Sequence, residues 1–193
     1  MRNTILAMAP VLLSVTLTAQ GVFSNKTQSI LEKVIQDYPN HFHNIKGELI
    51  GQEHQTAEYK STLQLPGSPC RIVVLTSAKG SASNDGYSWT CTVLDSESFA
   101  VAREKFHEIY AQLSNSIVTT SAQKTFILTG VYEAPVEDKK LTRVVFSLLP
   151  GVGDMKRLKV ALSLHQVGNT WKIMLSVNDR DSQDDVQGVV TVN

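Results

Sequence analysis

The stretch Tyr87-Ser88-Trp89-Thr90-Cys91-Thr92-Val93-Leu94 alternates bulky apolar or sulfur side chains with small polar ones. Successive side chains of a β-strand point to opposite faces, so this run reads as a strand with one face buried and the other wet. Ala57 to Leu65 shows the same period, with Ala57, Tyr59, Ser61, Leu63 and Leu65 set against Glu58, Lys60, Thr62 and Gln64. Ile45–Ile50 and Cys70–Thr76 complete four strands. Turn residues separate them: Pro66-Gly67 in one join and Asn84-Asp85-Gly86 in another.

Outward from these strands the period changes to that of a helix. Ile30, Leu31, Val34, Ile35 and Tyr38 form one apolar stripe over Ser24–Tyr38, which Ser24 or Asn25 can cap and Pro39 stops. A second helix is capped by Asp95 or Ser96 and lined by Phe99, Ala102, Phe106, Ile109, Tyr110 and Leu113. Further strands are expected at 124–133, 141–149, 157–165 and 170–178. The fold class expected is therefore α+β, as two tandem repeats of one helix plus a four-stranded antiparallel sheet. The sheets either stay separate or join into one curved eight-stranded sheet with both helices on one face.

An alignment of the halves supports the repeat reading. Leu31-Glu32-Lys33-Val34-Ile35 falls on Phe106-His107-Glu108-Ile109-Tyr110, Leu65-Pro66-Gly67 on Leu149-Pro150-Gly151, and Trp89 on Trp171. Insertions in loops account for the drifting offset. In element order the chain resembles saddle-shaped duplicated α/β folds, among them small exported inhibitors built from tandem helix-and-sheet units. The likeness is one of architecture, and fold does not dictate function.

The N-terminus carries its own signal. Arg2 precedes an apolar run from Ile5 to Leu17 and a small-residue exit, Thr18-Ala19-Gln20-Gly21. That is the layout of a secretory signal peptide, and the run is shorter than the roughly 20 residues a membrane span needs. The division expected is a signal peptide over 1–20, a first repeat over 21–94, a second over 95–178 and an acidic tail over 179–193. Export implies a secreted or periplasmic location, where disulfides persist. Cys70 and Cys91 are the two cysteines, and they lie symmetrically about residues 80 and 81. A hairpin turning there sets them opposite each other, at a separation a disulfide accepts. Closing that loop is worth roughly 3 kcal/mol in the chain-entropy view. The same construction about Val167 and Gly168 pairs Leu162 with Ile173.

Formal net charge is +0. Counterion release and attraction to anionic lipid therefore offer little, which argues against nucleic acid or a membrane surface as partner. His41-Phe42-His43 has no third ligand at metal spacing, and Asp179–Asp185 lacks the glycine and closing glutamate of a calcium loop. There is no Gly-x-Ser-x-Gly elbow, and Glu48, Glu53, Glu58 and Glu133 are indistinguishable from surface carboxylates. No cofactor, metal ligand or catalytic residue is nominated. The positive hint is the outer face of the second sheet, where Arg143, Val145, Lys159, His165, Lys172 and Met174 mix cations with apolar side chains. This face is the candidate docking surface for an unknown protein or small ligand outside the cytosol, or for a second copy of the chain. The function expected is an exported, non-enzymatic binding module. A secreted hydrolase without a recognisable motif and a small-ligand carrier are the alternatives.

Overall fold

The structure is a computed structural model that describes residues 21–76, 85–120 and 122–178. The apolar leader, the hairpin tip at Lys79-Gly80-Ser81 and the acidic tail lie outside the described residues. Helix α1 spans Gly21–Asp37 and is followed by two short 3-10 turns, Tyr38–Asn40 and His43–Ile45. Four strands follow: β1 Lys46–Glu53, β2 Thr56–Ser61, β3 Cys70–Leu75 and β4 Gly86–Ser96. Helix α2 spans Phe99–Leu113. After it come β5 Ile117–Thr119, β6 Thr125–Thr129, β7 Leu141–Leu149, β8 Lys159–Val167 and β9 Thr170–Asn178.

The arrangement corrects the two-repeat reading. All nine strands of the described residues belong to one antiparallel sheet ordered β1-β2-β3-β4-β9-β8-β7-β6-β5. There are not two helix-plus-four-strand units. The first group of strands ends on β4, whose free side is taken by β9, the last described strand, over Ser88↔Asn178 through Ser96↔Trp171. The second group has five strands, because Ile117–Thr119 pairs with β6 where the sequence shows no strand. The β8–β9 register also differs from the symmetric construction: Leu162 faces Leu175, and Leu164 faces Ile173.

The alternation read from the strands settles on one side of the sheet. Ile72, Trp89, Cys91, Val144, Phe146, Leu148, Val160, Leu162, Leu164, Ile173, Leu175 and Val177 are all buried. With Leu31, Val34, Ile35, Ala102, Phe106, Ile109 and Leu113 from the helices they form a single hydrophobic cluster. Helix α2 lies over β4, β8 and β9, and α1 lies toward β5. Ser98, not Asp95 or Ser96, caps α2: its side chain accepts a hydrogen bond from the Val101 N–H while β4 continues through Ser96. The indole N–H of Trp89 donates to Ser61 Oγ at 3.0 Å inside the core, which pins β4 to β2 across β3.

Cys70 and Cys91 are bonded, 21 residues apart in sequence, and stand directly opposite each other on β3 and β4. Both are buried on the helix side. The turn after α1 is held by a carboxylate. Asp37, 6% exposed, accepts from Asn40 Nδ2 at 3.1 Å and from the Asn44 backbone N–H and Nδ2 at 3.1 and 2.6 Å. These bonds hold His41 and Phe42 in left-handed conformations at φ 54° and 59°, with Phe42 fully buried. Such conformations cost free energy and persist where the surroundings over-determine them.

Candidate partner-binding face

A strand that buries every second side chain must present the others to the opposite side. Among the described residues that side carries no helix. The six residues nominated from the sequence all stand on it, and the register places them in rows across the sheet. Arg143 faces Ser163, which faces Met174, which faces Thr92. Val145 faces Ala161, followed by Ser176, Thr90, Arg71 and Lys60. Leu141, His165, Lys172 and Asp95 make a third row. Lys159 faces Ser147 on one side and Asn178 on the other.

Lys172 Nζ pairs with Asp95 Oδ2 at 3.0 Å, and Arg71 Nη1 with Glu58 Oε2 at 3.2 Å. Lys159 Nζ donates to Ser147 Oγ at 2.9 Å. The hydrogen bond from Lys172 holds the Asp95 carboxyl below the usual carboxylate range, against a smaller opposing effect of burial. Burial, and next the Lys172 charge, pull the His165 imidazole below its ordinary value. His165 is therefore a neutral donor and acceptor on this face near pH 7, beside a paired ammonium.

The face extends beyond what the sequence showed: Leu149 was expected on it, Ile117 and Ile127 were not. Ile117 on β5, Ile127 on β6 and Leu149 on β7 stand in one row on the same open side, exposed by 55%, 43% and 51%. A three-residue strand is too short for alternation to register, so neither Ile117 nor its neighbour Ile127 could be assigned a face. The β-branched run Ile117-Val118-Thr119 was the available signal. The face is thus graded, with an apolar row at the β5 end and Ser, Thr and cations across its middle.

Elsewhere, His41 stacks on the Tyr87 ring with centroids 4.4 Å apart. Among the described residues no three His, Cys, Asp or Glu side chains converge in a way that could hold a metal ion, and no helix is long and apolar enough to cross a membrane. No family model, curated protein or solved structure matches the chain.

Proposed function

We propose that the protein is an exported, non-enzymatic binding module that docks a partner protein on the open face of its sheet, in the periplasm or outside the cell. One observation carries the reading. Among the described residues both helices lie on one side of the nine-stranded sheet, and on the other an apolar row of three large side chains adjoins a cationic, hydroxyl-rich centre. Apolar anchors bordered by polar groups are what protein interfaces use. The opposite side is filled by helix and strand side chains in continuous contact, which favours a surface site over an interior one. The Cys70–Cys91 bond and the apolar run Ile5–Leu17 both support export.

The test is photo-crosslinking in the native compartment. A photoreactive residue is placed at Thr92 or Ser176 on the open face, and at the exposed Glu104 of α2 as control. The same partner should be captured from Thr92 and Ser176 and not from Glu104. The combined variant Arg143→Glu, Lys172→Glu, Met174→Asp should lose the adduct. Equal capture from Glu104, or an unchanged adduct in the combined variant, would sink the reading.

A further inference from the structure

Of the histidines, the register sets His165 on the open face, whereas the other four stand in turns or on α2. It is partly buried between Leu141 of β7 and Lys172 of β9, directly opposed to both. Side chains so opposed have Cβ atoms about 4.5–5.5 Å apart. The ammonium beside the imidazole is tethered. Lys172 Nζ lies 3.0 Å from Asp95 Oδ2, and that carboxylate, the one in this row, stands one strand further on, behind the lysine. On β7 the diagonal neighbour is Arg143, which has a partner of its own. The connection entering β7, Glu137-Asp138-Lys139-Lys140, is balanced in charge, with Lys139 paired to Glu133 and the Lys140 carbonyl accepting from the Gln166 N–H at 2.9 Å. The remaining neighbours on this side, Ser163 and Val167 on β8 and Thr170 and Met174 on β9, carry no charge.

We propose that His165 makes docking on the open face pH-dependent: a partner covers the neutral imidazole, and protonation of His165 in acid releases that partner. The inference rests on the binding-module reading above and adds its regulation. In the free protein an imidazolium at this position keeps water on its open side, and Lys172 can swing away from it into solvent. A docked partner removes both reliefs, because it excludes water and holds Lys172 on Asp95 next to the new charge. Burial and the Lys172 charge already oppose protonation in the free protein, and docking strengthens both. The docked state therefore takes up the proton at lower pH than the free state. Docking is at full strength above the free-state midpoint, which lies below about pH 6.5, and weakens as pH falls from there toward the docked-state midpoint. One proton is involved, so the loss is limited to about tenfold per pH unit.

The experiment uses the full chain, disulfide intact, with the photoreactive residue at Ser176, clear of the His165 row. The purified chain is titrated into the partner-bearing fraction, and the concentration that gives half-maximal adduct is measured between about pH 8 and pH 5. That concentration should be constant in the upper part of the range and rise in the lower part by up to about tenfold per pH unit. In His165→Gln, whatever its level, it should stay flat across the range. A second readout needs no partner. The His165 ring signals of the free chain, assigned by their absence in His165→Gln, should titrate at higher pH in Lys172→Met than in the unmodified chain. A flat profile in the unmodified chain, a rise that persists in His165→Gln, or a ring midpoint unmoved in Lys172→Met overturns the pH control and leaves the binding module standing. Absence of any Ser176 adduct at the upper end of the range removes the binding module, and the pH control with it.

Discussion

Single atoms decide more here than composition suggests. A Cβ added to Gly130 would lie 2.8 Å from Phe146 Cδ1 and 3.0 Å from the Val145 carbonyl oxygen. Phe146 is fully buried against the helices and cannot withdraw freely. Gly130→Ala is expected to lower stability by about 1–3 kcal/mol, the usual range for overpacking, and the urea midpoint measures it. His165 gives a pH signature. Its folded-state pKa lies below the ordinary value, so the unfolded chain takes up the proton at higher pH than the native one does. The contribution is fully present above about pH 6.5 and declines as pH falls from there to the lower native pKa. Asp95, held low, stays ionised across that window. Stability measured at about pH 7 and pH 5.5 should fall less in His165→Gln than in the unmodified chain; equal slopes refute the assignment. The disulfide was legible in the sequence, because two cysteines symmetric about a turn leave one geometry. The Asp37 network was not. Nothing local distinguishes an aspartate that ends a helix from one whose carboxylate organises the turn through partners three and seven residues later.

Among the elements, the two rims of the sheet are treated differently. At one rim β5 is faced by α1, whose residues 28, 32 and 36 lie on one side of the helix at successive turns. Gln28 donates to the Ile117 carbonyl at 3.3 Å, Glu32 accepts from the Thr119 N–H at 2.7 Å, and Gln36 donates to the Thr119 carbonyl at 2.7 Å. Three polar side chains thus occupy the positions another strand would fill, so the unpaired edge is not offered to other chains. At the opposite rim β1 keeps its edge with two register irregularities and the charges Lys46, Glu48 and Glu53, while Leu49 and Ile50 are more than half exposed. Bulges and charges are the other common way to blunt an edge. Glu32→Ala leaves the Thr119 N–H without its acceptor and should cost about 1–3 kcal/mol. Hydrogen exchange should report it first at Thr119, and unchanged protection there would remove this role for α1. Sequence reading could find α1 as an apolar stripe. It could not find its polar flank, because glutamine and glutamate beside such a stripe look like ordinary solvated residues.

At the scale of the whole molecule the order of strands was the hidden quantity. β4 and β9 each read as a half-buried strand, and alternation is the same whether a strand sits at an edge or in the middle. What makes them central is their pairing with each other, across some 80 residues of chain. A single sheet should unfold as a single unit. Trp89 reports the β1–β4 side and Trp171 the other. Unfolding followed in Trp89→Phe and Trp171→Phe variants should give transitions that coincide with each protein's own circular-dichroism curve. Leu175→Ala, between Cys91 and Leu162 in the register, should cost about 2–5 kcal/mol and lower protection equally in β2–β3 and β7–β8. Loss confined to one side would mean two cooperative units. The same seam has a consequence in time. A ribosome or a translocation pore delivers residues 46–96 well before 170–178, so during that interval β4 waits with its ladder of peptide groups unclaimed. The nascent first half is then a sheet with a long, half-apolar strand as an open rim. The interval between delivery of β4 and arrival of β9 is when the chain most needs shielding from its neighbours, and a pause in elongation there should raise misassembly more than a pause after Asn178.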